Sequence, residues 1–184
     1  MGKSTAADVF RRARIPVFDA DRAVHALEAK GGRAIGPIAA AFPGVVKDGV
    51  LDRAGLRARV LADPVALGRL EAILHPLVRE QERAFLARAR RAGRRVAVLD
   101  IPLLFETGAE GRVDRVLVVS APAAVQAARL RRRRKMHPGE ISAILARQLP
   151  DREKRRRADF VVPTGLSRYH GQRMLRRLMG ELLA

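Results

Sequence analysis

Gly2-Lys3-Ser4-Thr5 opens a helical pattern at the N-terminus. It matches the second half of G-x-x-x-x-G-K-[ST]. In that loop, backbone amides and a helix N-terminus cradle phosphates, the Lys reaches the β/γ-phosphates and the hydroxyl ligates Mg²⁺. The same four residues also suit a Ser/Thr cap on an ordinary helix, and the strand and earlier glycine that precede a full loop do not stand before them. Asp19 and Asp21 follow the apolar run Ile15-Pro16-Val17-Phe18. Carboxylates at the C-terminal edge of a parallel sheet can accept a hydroxyl proton or help hold Mg²⁺. The alternative is an N-cap for a helix starting near Arg22, which Asp21 fits better than Asp19.

Asp100 ends Val96-Ala97-Val98-Leu99 in the same way, the form of a kinase strand whose carboxylate reaches Mg²⁺ directly or through water. Ile101-Pro102-Leu103-Leu104-Phe105-Glu106 then places a proline and an apolar loop at the sheet edge, either as a ligand wall or as core. His75-Pro76 interrupts a helical pattern, where a lone His is more often structural than catalytic. The runs Arg131-Arg132-Arg133-Arg134-Lys135 and Lys154-Arg155-Arg156-Arg157 read as solvated faces or as a phosphate-clamping lid built from guanidinium forks.

The elements that must position these groups alternate. Apolar runs at 15–18, 96–99, 116–119 and 160–162 read as buried parallel strands, and 4–13, 53–62, 65–91, 122–134, 138–149 and 166–183 as helices, with 65–91 interrupted at His75-Pro76. This is an α/β pattern with right-handed crossovers. The stretch between the first two strands is far longer than one crossover and reads as a mostly helical insertion. A smaller basic hairpin, 129–157, precedes the last strand.

At 184 residues the chain can bury one core, and 48% hydrophobic content excludes intrinsic disorder. Zero cysteines exclude disulfides and thiolate chemistry. No apolar run spans a membrane, and the N-terminus lacks a signal peptide's apolar region, so a cytoplasmic protein is expected. The net charge of +18 draws anions. With only 5 lysines among 37 basic residues, much of that surplus reads as an Arg-for-Lys bias of a GC-rich genome. Aromatic residues make up 4% and do not interleave with the basic runs, which argues against single-stranded nucleic acid.

Taken in order, Gly2-Lys3-Ser4-Thr5, Val17-Phe18-Asp19-Ala20-Asp21, Leu51-Asp52-Arg53, Leu74-His75-Pro76-Leu77-Val78, Asp100 to Glu106 and Ala158-Asp159-Phe160-Val161-Val162 resemble the dephospho-CoA kinase family, from the first residue to about Gly165. The resemblance implies a P-loop kinase-type parallel sheet of order 2-3-1-4-5 with helices on both faces, strand 1 being absent from this chain. It implies a nucleotide core (1–22, 93–128 and 158–184), a helical substrate region (23–92) and a lid (129–157). The implied reaction transfers the ATP γ-phosphoryl to the ribose 3′-hydroxyl of dephospho-CoA, with Mg²⁺. Gly2, Lys3, Ser4, Thr5 and Arg134 would bind phosphates, Ser4 and Asp100 Mg²⁺, and Asp19, His75, Leu103 and Glu106 dephospho-CoA. Asp21 would orient or deprotonate the hydroxyl, with Lys3 and Arg134 as the other catalytic groups.

Two departures stand out. Val162-Pro163-Thr164-Gly165 lacks the Asn often found there in the family, and no glycine-rich strand precedes Gly2. The latter leads to the expectation of a true start codon upstream of Met1, and of instability and near-inactivity without it. The alternatives are another small nucleotide kinase, told apart by its acceptor, and an inactive basic nucleic-acid-binding relative, told apart by salt-dependent binding without ATP turnover.

Overall fold

Short apolar runs alternating with amphipathic stretches fold as strands and helices in the computed structural model, which describes residues 2–126, 128, 148–165 and 167–183. In chain order these are α1 (Lys3–Arg12), β1 (Val17–Asp19), α2 (Ala20–Leu27), α3 (Ile35–Ala41), β2 (Val46–Lys47), β3 (Val50–Leu51), α4 (Arg53–Ala62), α5 (Pro64–Arg91) and β4 (Val98–Asp100). A 3₁₀ turn (Ala109–Arg112), β5 (Leu117–Ser120), α6 (Asp151–Arg157), β6 (Phe160–Pro163) and α7 (Arg168–Leu183) follow. The chain divides into two compact units, one of Met1–Val17 with Asp100–Ala184, the other of Phe18–Leu99.

In the first unit, β5 and β6 pair in parallel, with Leu117 opposite Phe160 and Ser120 opposite Pro163. The start of that register is clamped by Asp159, whose carboxylate accepts the Val116 N–H at 2.7 Å while the Asp159 and Phe160 amides donate to the Val116 carbonyl. The face of α1 carrying Ala6, Ala7, Val9 and Phe10 is buried, and α1 packs against α7, which buries Leu175, Leu178 and Met179. These spacings of three and four put the apolar side chains on one helical stripe.

The second unit is built around Leu27, Ile38, Phe42, Val45, Leu56 and Leu70, with Ile38 fully buried. Each such side chain contributes about 1.5–3 kcal/mol on burial. Arg53 joins two helices here, donating to the His25 carbonyl at 3.2 Å and pairing with Glu28 at 3.3 Å. β1 and β4 are hydrogen-bonded neighbours. Among the described residues the strands form three separate pairs, β1 with β4, β2 with β3 and β5 with β6, and no strand joins them into the expected five-stranded order.

Several expectations are corrected. The helix expected to break at His75-Pro76 runs unbroken from Pro64 to Arg91 with Pro76 inside it. Burial of Leu70 and Leu74 on the preceding turns outweighs the roughly 3 kcal/mol that an internal proline costs. The insertion is mostly helical, as expected, and the sequence reading missed one feature of it: β2 and β3 form an antiparallel hairpin across Asp48-Gly49, both with positive φ (50 and 75). Asp-Gly is a strong sequence signal for a turn of that kind. The first strand lies at 17–19 rather than 15–18, because the Ile15 amide closes the end of α1 on the Phe10 carbonyl. Residues 148–150 are not helical, α7 begins at Arg168, and most of the helices expected at 122–134 and 138–149 lies outside the described residues.

Candidate active site

The first unit brings Lys3 and Asp100 together. Gly2 precedes α1 with φ of 120, a conformation that favours glycine, and the Ala6 amide donates back to its carbonyl. Lys3 therefore projects from the first turn of a helix, and its Nζ lies 2.7 Å from Asp100 Oδ1 at the end of β4. The Asp100 side chain is 7% exposed and that of Lys3 is 42% exposed, so the ammonium reaches from solvent to a buried carboxylate. Ser4 is exposed and Thr5 half-buried on the same turn. A helix N-terminus with an ammonium and two hydroxyl-bearing residues on its first turn can bind an anion, and the Asp100 carboxylate stands beside the ammonium as an oxygen donor. The Ser4 hydroxyl and Asp100 carboxylate are hard oxygen donors, which fit Mg²⁺, an ion that takes one or two carboxylates beside substrate phosphates and water. Among the described residues no group of three or more His, Asp or Glu is placed to hold a metal by itself.

In the second unit, the helix cap falls to Asp19 and not to Asp21, which fitted that alternative better in the sequence. Asp19 is the N-cap of α2, with its Oδ1 accepting the Arg22 amide at 3.0 Å. Its extended backbone (φ −114, ψ 106) leaves the strand at the angle a cap needs. Asp21 sits within the first turn, exposed, where a negative charge complements the helix dipole and the carboxylate stays open to a reactant. His75 is exposed on α5.

The loop after Asp100 belongs to the first unit. Leu103 is 40% exposed with φ of 53, a left-handed conformation rare for a branched residue and costing about 1–2 kcal/mol. Thr107 holds that turn, its amide and hydroxyl both donating to the Leu103 carbonyl at 3.0 and 2.9 Å. Phe105 is buried. Glu106 Oε1 accepts the Leu149 amide at 2.7 Å and pairs with Lys154 at 2.9 Å. Burial is the largest single influence on this carboxyl and pushes its pKa up. The hydrogen bonds from Lys154, Leu149 and its own amide, with the Lys154 charge, together outweigh burial and hold the pKa below the ordinary 4.5.

Sequence reasoning missed what α6 does. The run Lys154 to Arg157 was read as a solvated face or a phosphate clamp, yet two of its four cations turn inward. Lys154 meets Glu106, and Arg157 pairs with Glu110 and lies 4.7 Å over the Phe105 ring. The spacing of Glu106/Glu110 against Lys154/Arg157 was the available signal. Ser120 and Asp151 were not singled out either; the Ser120 hydroxyl donates to Asp151 Oδ2 at 2.7 Å. Arg134 lies outside the described residues.

Comparisons with known proteins converge. A family model described as dephospho-CoA kinase matches residues 1–167. A dephospho-CoA kinase of Mesorhizobium japonicum is 59% identical over 165 residues, 90% of this chain and 83% of that protein. One from Rhizobium meliloti is 48% identical over 184 residues, covering 100% of this chain and 94% of the relative. A crystal structure of a Thermus thermophilus protein superposes with a TM-score of 0.82 at 35% identity, over 98% of this chain and 92% of that one. The dephospho-CoA kinase from Campylobacter jejuni has the same fold, with a TM-score of 0.72 at 23% identity, over 98% and 91% of the two chains.

Proposed function

This chain belongs to the dephospho-CoA kinase family, and from that premise we propose that it transfers the γ-phosphoryl group of ATP to the ribose 3′-hydroxyl of dephospho-CoA. The products are coenzyme A and ADP. The bond from the 3′-oxygen to the γ-phosphorus forms, the bond from that phosphorus to the β,γ-bridging oxygen breaks, and the hydroxyl proton passes to a carboxylate. The family match carries the choice of substrates. The Lys3–Asp100 pair at a helix N-terminus carries the phosphoryl-transfer centre.

Such a reaction needs positioning and charge stabilisation more than covalent chemistry. Gly2, Lys3, Ser4 and Thr5 bind the phosphates, with the Lys3 ammonium countering charge on the transferring group. Ser4 and Asp100 would hold Mg²⁺, which would supply charge neutralisation for the ATP phosphates. Asp21 orients the 3′-hydroxyl and accepts its proton; its exposed place in the first turn of α2 supports that role. Asp19, already engaged as the cap of α2, contributes by fixing where Asp21 stands. We assign His75, and separately the exposed, backbone-strained Leu103, to binding of the acceptor, and Arg134 to a role as a second phosphate-facing cation. Nucleotide binding belongs to residues 1–22, 93–128 and 158–184, acceptor binding to 23–92 and the lid to 129–157. No helix among the described residues is long and apolar enough to cross a membrane; we place the reaction in the cytoplasm, as is typical of the family.

Replacing Asp21 by Asn tests the assignment of the base. General-base loss typically costs 10²–10⁴-fold, so kcat for ATP-dependent CoA formation should fall by about that factor with KM for ATP little changed. Full turnover by Asp21→Asn would remove Asp21 from the mechanism.

A further inference from the structure

Within the first unit, contacts form a closed circuit around Lys3. Lys3 pairs with Asp100 at 2.7 Å, and Asp100 leads through the loop turned at Leu103 to Glu106. Glu106 holds the entry to α6 through the Leu149 amide and Lys154, at 2.7 and 2.9 Å. The first residue of α6, Asp151, accepts the Ser120 hydroxyl at 2.7 Å. The Ser120 carbonyl in turn accepts the amide and the hydroxyl of Thr164, at 2.7 and 3.0 Å. Thr164 abuts the turn that opens α1, since a Cβ placed on Gly2 would stand 3.2 Å from its Oγ1 and 3.2 Å from Val119 Cγ1. The circuit therefore returns to the residue before Lys3.

We infer that Glu106 is a positioning residue for phosphoryl transfer, acting through Lys154, Asp151, Ser120 and Thr164 on the phosphate-binding turn at Gly2-Lys3, rather than a ligand of the acceptor. The inference rests on the kinase reading above. Three features carry it. Glu106 holds the segment leading into α6 by the Leu149 amide and the helix itself by the Lys154 ammonium, so it fixes both the entry and the body of that helix. A parallel rung, Arg157 with Glu110 and over Phe105, prevents α6 from pivoting about the first. The loop between Asp100 and Glu106 has little slack, because Leu103 already occupies a left-handed conformation held by Thr107. Releasing Glu106 thus disturbs both supports of Lys3, one through Asp100 and one through Gly2. A pocket-lining carboxylate would instead act on the acceptor alone.

The full chain serves for the test, as wild type, Glu106→Gln, Lys154→Met and the double variant. Two quantities are measured: steady-state kinetics with ATP and dephospho-CoA, and equilibrium affinity for a fluorescent ATP analogue without acceptor. Each single variant should lower kcat and weaken nucleotide binding about tenfold while KM for dephospho-CoA stays within about twofold. The double variant should lose about as much as one single variant, because both break one link. A raised KM for dephospho-CoA with intact kcat and nucleotide affinity would return Glu106 to the acceptor pocket and overturn the inference, as would additive losses in the double variant. Ser120→Ala cuts the circuit at its midpoint by one hydroxyl, so folding failure at Glu106 cannot obscure the outcome. It should reproduce the weakened nucleotide affinity, and an unchanged affinity there also refutes the inference. The titration needs no acceptor, so a wild type that binds nucleotide without phosphorylating dephospho-CoA would sink the kinase reading while still deciding the coupling.

Discussion

Lys3 and Asp100 show how one pair serves both stability and chemistry. The ammonium neutralises a carboxylate that is 7% exposed, and the same ammonium is the cation offered to a phosphate. Lys3→Ala should therefore lower kcat/KM for ATP by about 10²–10³-fold, the scale of one lost charge-stabilising donor. It should also destabilise the fold by about 1–2 kcal/mol, less than for a fully buried pair because Lys3 is part-exposed. Activity and thermal unfolding of the one variant check both, and unchanged turnover would exclude Lys3 from the centre. Glu106 gives a pH prediction. Its folded pKa is depressed, so its contribution to stability is complete above its unfolded value near 4.5 and is lost as pH falls through the folded value. As pH falls below about 4.5 the wild type should lose more of its Tm than Glu106→Gln does; equal slopes would contradict the geometry at Leu149 and Lys154. At this scale residue types were legible and roles less so. Asp19 and Asp21 were both recognisable as candidates, but which of them caps α2 depends on the backbone angle at the strand exit, which composition does not encode.

α5 is the element where local rules and tertiary packing disagree. Pro76 removes one helical hydrogen bond and crowds the preceding turn, yet the helix continues because Leu70 and Leu74 are anchored in the core of the second unit. Pro76→Ala should raise the stability of the chain by about 1–3 kcal/mol, read as a higher Tm. A lower Tm would mean instead that the core is fitted to the proline ring. The helices with clean apolar stripes, α1, α4 and α7, were legible from sequence to within a few residues, as were the four apolar strands. The hairpin of β2 and β3 was missed although Asp48-Gly49 advertised it, since two-residue strands carry too little periodicity to register. The inward turn of α6 was missed for a different reason. Whether a basic helix faces solvent or a carboxylate depends on the partner, and its partners Glu106 and Glu110 lie more than forty residues earlier.

Across the whole molecule, the +18 charge has a physical use that needs no nucleic acid, since both proposed substrates are polyanions drawn by a positive field. Some of that charge is internal wiring, as Lys154 with Glu106, Arg157 with Glu110 and Arg53 with Glu28 demonstrate. The family was legible because its signature residues sit where strands end and helices begin, positions that the α/β pattern makes conspicuous. How the contacts of the first unit close around Lys3 was not, because that circuit joins residues distant in sequence through backbone amides and carbonyls. The decisive measurement is product identification: the purified chain is incubated with Mg²⁺, ATP and dephospho-CoA, and the product is resolved by mass and phosphorus NMR. Coenzyme A bearing a 3′-phosphate, formed with one ADP per turnover and abolished without dephospho-CoA, is the expected result. Phosphorylation of a nucleoside monophosphate in place of dephospho-CoA, or phosphate at another hydroxyl, would contradict it.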